Sequence, residues 1–216
     1  MFFPLRLHLI KNINIRQIRL LKNALVFKVN LGMADFQNAI GLILRHEGGY
    51  SWNKNDHGQE TAFGISRVYW PKWSGWPTID TIKANKKPNE SLDSLLMDNS
   101  TLMSLVKSFY KANFWNPLNL DKIKDQQIAN AVVDFGVNAG TGRSARLLQK
   151  AVGVLSDGII GDKTIEAVNS QSPAVVLGKF NELRKDYYDA IIQHDPTQGQ
   201  FKASWYSRIT PYKSVA

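Results

Sequence analysis

From Asp35 the apolar residues Phe36, Ile40, Ile43 and Leu44 recur at i, i+4, i+7 and i+8, which predicts a helix with one buried face ending at Gly48-Gly49. Between Tyr50 and Pro88 the periodicity is lost among Gly58, Gly64, Gly75, Pro71, Pro77 and polar residues, as expected of loops with a short hairpin. Helical spacing returns at Leu92, Leu95 and Leu96, and again from Leu102 through Leu105, Val106, Phe109 and Tyr110 until Asn116-Pro117 breaks it. Further helices are predicted over 125–138 and 143–152. Ser172-Pro173 reads as a cap and first helical position, after which Val176, Phe180, Leu183, Tyr187 and Ile191 keep one stripe. A short closing helix is expected over 201–209.

The chain has 216 residues, enough for one sizeable domain or two small ones, and its 44% hydrophobic content suffices for a packed core. The absence of cysteine excludes disulfides and thiolate metal sites. The net charge of +9 is uneven: residues 1–32 hold six bases (Arg6, Lys11, Arg16, Arg19, Lys22, Lys28) and no acid. That leaves 21 bases against 18 acids, or +3, for the remainder. Charge of this kind suits any polyanion, from nucleic acid to anionic lipid to the bacterial envelope. The longest uninterrupted apolar run of the segment, Ala24 to Phe27, is too short for a signal-peptide core or a membrane span. A membrane-surface helix, a nucleic-acid arm and a translated leader upstream of a start at Met33 all fit; the last is the favoured expectation.

Glu47 is the first candidate for chemistry. It stands at Ile40+7, Ile43+4 and Leu44+3, so the helix directs it along the apolar stripe, and it falls in the last turn, at the negative end of the helix dipole. Burial and dipole both oppose ionisation, and a carboxyl kept protonated is what a glycosidase uses to protonate a departing sugar oxygen. The plainer alternative is a glutamate turned into solvent at a frayed helix end. Asp56 follows in the run DHGQETAFGIS with Gly58, Thr61, Gly64 and Ile65. A loop returning over the helix end would set it opposite Glu47, giving the two carboxylates that glycoside hydrolysis requires. Locally, Asp56 equally suits a turn before Gly58.

The run HEGGY, then Asp56, Gly58, Thr61, Gly64 and Ile65, together with YKANFWNPL (110–118), resembles the glycoside hydrolase family 108 lysozymes, which include phage endolysins and muramidases tied to protein export. The order Glu, Asp, Thr is also similar to the catalytic triad of phage-type lysozymes, with a second gap shorter by one residue. The resemblance implies a lysozyme-like fold with Glu47 as the acid and Asp56 and Thr61 as the second group. Gln59 stands where these sequences usually carry a second glycine, which bears on how the loop aims Thr61.

Downstream, DFGVNAGTGRSARLLQ (134–149) resembles the Asn-x-Gly-x-Gly segment of phage lysozymes and lytic transglycosylases, so Asn138 either faces the cleft to bind an N-acetyl group or water, or caps its helix before Gly140. The following LLQKAVGVLSDGIIGDKTIEAV is similar to peptidoglycan-binding modules in Leu148, Gln149, Gly153, Asp157, Gly158, Ile160, Gly161, Thr164, Ala167 and Val168. Asp162 replaces a common proline and is suited to N-capping; Gly158 and Gly161 suit tight turns, with Asp157 shaping the first. Tyr50, Trp52, Tyr69, Trp70, Trp73 and Trp76 cluster beside the proposed site, and flat aromatic faces suit sugar rings. Tyr50 and Trp52 are the candidates for substrate contact, with Gly64 and Asn138, whereas Trp70, Trp73 and Trp115 are expected to anchor loops.

These readings predict a mainly α, α+β lysozyme-like protein: a basic extension over 1–32, a catalytic lobe over 33–122 and a helical peptidoglycan-binding portion over 123–216. The expected reaction is hydrolysis of the β-1,4 bond between N-acetylmuramic acid and N-acetylglucosamine, without metal or organic cofactor, by a monomer that acts in the periplasm or cell wall after export without a clear signal peptide. A holin-like pore partner is implied by the family alone. The rival readings are a lytic transglycosylase, a wall-binding protein without catalysis, and, last, a nucleic-acid binder, for which the body of the chain lacks a recognisable motif.

Overall fold

The computed structural model describes residues 32–52 and 59–209. Asp56, Gly58 and the basic segment over 1–31 lie outside the described residues. The fold is mainly α, with nine α-helices and one small sheet among the described residues, and from Ala34 onward these form one compact unit.

Helix α1 spans Phe36–Glu47. Asp35 starts it by accepting a hydrogen bond from the Gln37 N–H at 2.9 Å, and Gly48 at φ 72 ends it, a conformation that favours glycine. Phe36, Ala39, Ile40 and Ile43 are buried, so the predicted stripe is the buried one. A three-stranded antiparallel sheet follows in the order β1 (Tyr50–Trp52), β2 (Glu60–Ala62), β3 (Ile65–Ser66). Ala62 pairs with Ile65, which leaves Phe63 and Gly64 as a two-residue loop at φ 50 and φ 78. Positive φ at both central positions is the signature of the type I′ turn that suits the twist of a hairpin. A buried phenylalanine is an unusual occupant. It is held by both backbone groups: its N–H donates to Gly49 O at 2.9 Å and its carbonyl accepts from the Tyr110 hydroxyl at 2.6 Å.

The region expected to be loops holds a further helix, α2 (Trp76–Asn85). Its buried face is only Trp76 and Ile79, with Ile82 partly covered, too narrow a stripe to stand out among prolines and polar residues. Helices α3 (Leu92–Asp98) and α4 (Ser100–Tyr110) follow the expected spacing, each started by a side-chain cap, Ser91 and Asn99. The chain does not stop at Tyr110. It continues through a π-helical turn over Lys111–Trp115 and a 3-10 turn over Asn116–Leu118 before Asn119 reverses it at φ 50.

Helix α5 (Gln126–Ala139), capped by Asp125, has every residue from Ile128 to Gly136 buried. A helix buried all round belongs at the centre of a fold, and α5 packs on α1, on α6 (Thr141–Val152) and on α8 (Pro173–His194). The division expected at 122/123 assigns α5 to the C-terminal portion, while its surface covers α1. Gly140, at φ 92, makes the sharp junction between α5 and α6.

In α7 (Asp162–Ser170) the cap position is Gly161, so Asp162 is the first helical residue and not the N-cap that its type suggested; there its charge still complements the helix N-terminus. Ser172 likewise makes no side-chain cap bond, and Pro173 alone, with its fixed φ, starts α8. The buried stripe of α8 is Val176, Phe180, Arg184 and Tyr188, an unbroken i+4 series rotated from the predicted one because it contains a charged residue. A 3-10 turn over Pro196–Phe201 and helix α9 (Lys202–Ser207) close the structure against α8, with Trp205 stacked on Tyr188 at 5.1 Å.

Candidate active site

The Glu47 side chain is 17% exposed, at the last position of α1, and its two oxygens have different surroundings. Oε1 lies 3.0 Å from Arg208 Nη2. Oε2 lies 2.6 Å from the point where a Cβ on Gly64 would stand, and the Tyr110 hydroxyl lies 2.6 Å from the same point. The absent side chain of Gly64 is therefore what lets the hairpin turn sit against the end of α1. Tyr110 is buried, and its hydroxyl is raised well above the ordinary tyrosine range by burial first, with the Glu47 charge adding and the Arg208 charge opposing.

Behind Glu47 lies a chain of ion pairs. Arg208 Nη1 reaches Asp134 Oδ1 at 3.1 Å, and Asp134 Oδ2 accepts from Arg184 Nη2 at 2.8 Å. Asp134 and Arg184 are fully buried, Arg208 nearly so. Burial opposes the charge on Arg208, but Asp134 and Glu47 outweigh it and raise its pKa above the ordinary arginine value. Glu47 therefore has a cation in direct contact, beside its partial burial and its place at the helix end. Two carboxylates and two guanidiniums, from α1, α5, α8 and the residue after α9, thus form one network of balanced formal charge.

Thr61 lies on β2, paired with Ser51 and Ser66, and therefore points to the opposite face from Glu60. Glu60 is buried, and it accepts from the Tyr50 hydroxyl at 2.8 Å and from Lys83 Nζ at 2.7 Å while Arg67 Nε stands 2.7 Å away. Tyr50, a candidate for substrate contact, is thus half-buried with its hydroxyl engaged inside the small lobe. Trp52 is 59% exposed. Asn138 is exposed, and its Oδ1 accepts from the Tyr188 hydroxyl at 2.9 Å; the helix-end bond is made instead by the Gly140 N–H to Gly136 O. Asp56 lies outside the described residues.

The aromatic residues divide by burial. Trp115 is fully buried and donates to Asp121 at 2.6 Å, and Trp73 packs edge-on against Trp76 and Phe109. Trp70 meets Phe109 edge-on, and its carbonyl accepts from Trp76 Nε1 at 2.8 Å. Among the described residues no group of three or more His, Cys, Asp or Glu is placed to hold a metal ion, and no helix is long and apolar enough to cross a membrane.

The C-terminal portion has its own organising residue, the buried Gln149. Its amide nitrogen donates to Asp157 Oδ1 at 2.7 Å and to Ile159 O at 3.0 Å, while its Oε1 accepts from the Gly158 N–H at 2.8 Å. Asp157 also accepts from the Ile159 N–H at 2.9 Å, and Gly158 stands at φ 87, so the turn has the form expected of this pair. Gly161, at φ −98, needs no special conformation.

Residues 40–140, which hold Glu47, the hairpin and Asp134, match the family model described as glycosyl hydrolase 108. The chain carries a glycosyl hydrolase 108 domain. Residues 143–210 match a second family model, the predicted peptidoglycan domain. The glycosyl hydrolase 108 domain joined to a peptidoglycan domain makes the protein a peptidoglycan hydrolase of the lysozyme type that acts on the cell wall. Among solved structures the chain is similar to SagA from Brucella abortus, at 26% identity and a TM-score of 0.57 over 82% of this chain and 90% of that one. A search of curated proteins returns no match.

Sequence reasoning missed Tyr110, Asp134, Arg184 and Arg208 as the surroundings of Glu47. Two of them had a signal: Asp134 interrupts the apolar run AVVDFG, and Arg184 sits on the i+4 series of α8. A charge at a position that periodicity marks as buried is a sign of a partner. Arg208, at the end of a weakly patterned segment, had none.

Proposed function

We propose that the protein is an N-acetylmuramidase that hydrolyses the β-1,4 bond between N-acetylmuramic acid and N-acetylglucosamine, with Glu47 as the proton donor. One observation carries the reading: the Glu47 carboxyl is partly exposed and fixed between the hairpin turn at Gly64 and a buried network of charges. A proton donor must be held within hydrogen-bond reach of the departing oxygen, and fixing it beforehand supplies much of the rate. Glu47 gives its proton to the glycosidic oxygen as the bond to the muramic acid C1 breaks. Asp56, aided by Thr61, activates a water that adds to C1 from the opposite face, with inversion. Trp52, Tyr50 and Asn138 are the proposed substrate contacts. The portion over 123–216 holds the enzyme on the wall. The enzyme acts as a monomer and reaches the wall through a holin-like pore.

The test is mass spectrometry of the fragments released from purified sacculi. Reducing muramic acid ends are expected. Anhydro ends would instead indicate a lytic transglycosylase, and reducing ends on glucosamine would place the cut at the other bond.

A further inference from the structure

We propose that Arg208, within the segment matched by the peptidoglycan domain, is a positioning residue for catalysis: it holds Glu47 Oε1 and stabilises the carboxylate that forms as Glu47 gives up its proton. The proposal rests on the reading of Glu47 as the proton donor.

Glutamate at a helix end, followed by a glycine at φ 72, has little of its own to fix its side chain. Here Oε1 is held at 3.0 Å by one nitrogen of Arg208, while the other nitrogen of the same guanidinium is held at 3.1 Å by Asp134. Asp134 is in turn fixed at 2.8 Å by Arg184, which is fully buried on α8. A planar guanidinium that spans two carboxylates is a rigid ruler between them, which a lysine ammonium cannot reproduce. The side-chain exposures fall from 17% at Glu47 to 10% at Arg208 to 1% at Asp134, so the network runs from the accessible carboxyl into the core.

The electrostatics act in the direction the reaction needs. As the proton passes from Glu47 to the glycosidic oxygen, negative charge develops on Glu47. A fixed cation already in contact stabilises that charge without reorganisation, and stabilisation of charge that appears only in the transition state raises kcat and leaves KM largely unchanged. The charged and titratable groups facing this pair among the described residues are Tyr110 from α4, Asp134 from α5 and Arg184 from α8, and the hairpin contributes Gly64. Glu47 lies in one family match and Arg208 in the other, so the wall-binding portion completes the catalytic site as well as retaining the enzyme.

The experiment compares the full chain with Arg208→Gln, Arg208→Lys and Glu47→Gln on a soluble muropeptide oligomer, reading kcat and KM separately. Arg208→Gln is expected to lower kcat by about tenfold to a hundredfold with KM within about twofold. Arg208→Lys, which keeps the charge and loses the span, should lose about tenfold in kcat, again with KM within about twofold. Wild-type kcat in Arg208→Gln, or a loss carried by KM rather than kcat, overturns the proposal, as does wild-type kcat in Arg208→Lys should the glutamine variant not fold. Glu47→Gln separates the two readings. If it is as active as the unsubstituted enzyme, the assignment of Glu47 fails; if it is inactive while the Arg208 variants are unaffected, only the role of Arg208 fails.

Discussion

Gly64 and Tyr110 show how closely the candidate site is fitted at the scale of single residues. A methyl group on Gly64 would meet Glu47 Oε2 and the Tyr110 hydroxyl, each at 2.6 Å, and would also sit on a backbone at φ 78. The backbone alone costs about 1–2 kcal/mol. Gly64→Ala should therefore lower both stability, read by urea unfolding, and peptidoglycan hydrolysis; an unchanged rate would show that Glu47 does not depend on this contact. The Tyr110 hydroxyl gives a pH-dependent counterpart. Its folded-state pKa lies above the ordinary tyrosine value of about 10, so the stability it contributes is present below that pH and is lost as the pH rises beyond it. Tyr110→Phe should cost about 1 kcal/mol at about pH 8, from the lost bond to Phe63, and should lose less stability than the unsubstituted protein between about pH 8 and about pH 10.5. An equal loss over that range in both proteins would contradict the assignment. Glu47 was legible from its place on the apolar stripe, because periodicity fixes where a side chain points. Its guanidinium partner was not, because that partner lies 161 positions away and only the tertiary fold brings it near.

At the scale of elements, the sequence identifies those whose buried face is wide and apolar. Helix α1 and helix α4 show such stripes, and both match the expected positions. Helix α2 escaped because two buried residues do not make a pattern, and the stripe of α8 was read one position off because Arg184 is charged. The π-turn after Tyr110 keeps the chain coiled up to Pro117, which sits in the first turn of the next segment, where its missing N–H does no harm. The turn over 153–161 depends on one side chain, since the Gln149 amide satisfies three partners from Asp157 to Ile159. Gln149→Ala removes those bonds and leaves a cavity among buried polar groups, at a cost of roughly 2–4 kcal/mol. In a Glu47→Gln background it should also reduce retention on sacculi in a pull-down, and undiminished retention would show that this turn does not serve wall binding.

For the whole molecule, the matches to a glycosyl hydrolase 108 domain and a predicted peptidoglycan domain meet between residues 140 and 143, at the junction of α5 and α6. Hydrogen bonds nevertheless cross from one matched segment to the other: Asn119 Nδ2 donates to Ile160 O at 2.7 Å, and Asn169 accepts from the Lys124 N–H at 2.9 Å and donates to Lys122 O at 2.8 Å. The two functions legible in the sequence as successive motifs are thus joined through polar contacts that no motif announces. The basic segment over 1–32, set apart by its composition and charge, is expected to be dispensable. A chain beginning at Met33 should keep the thermal midpoint and specific activity of the full chain, and an insoluble or inactive product would refute that expectation. The central claim, that Glu47 delivers the proton for cleavage of the glycan strand, is tested most directly by turnover of purified peptidoglycan by Glu47→Gln, which preserves shape and removes the acid. The account predicts a folded protein that still binds sacculi and whose release of reducing ends falls by about three or more orders of magnitude. Release at the rate of the unsubstituted enzyme would contradict it.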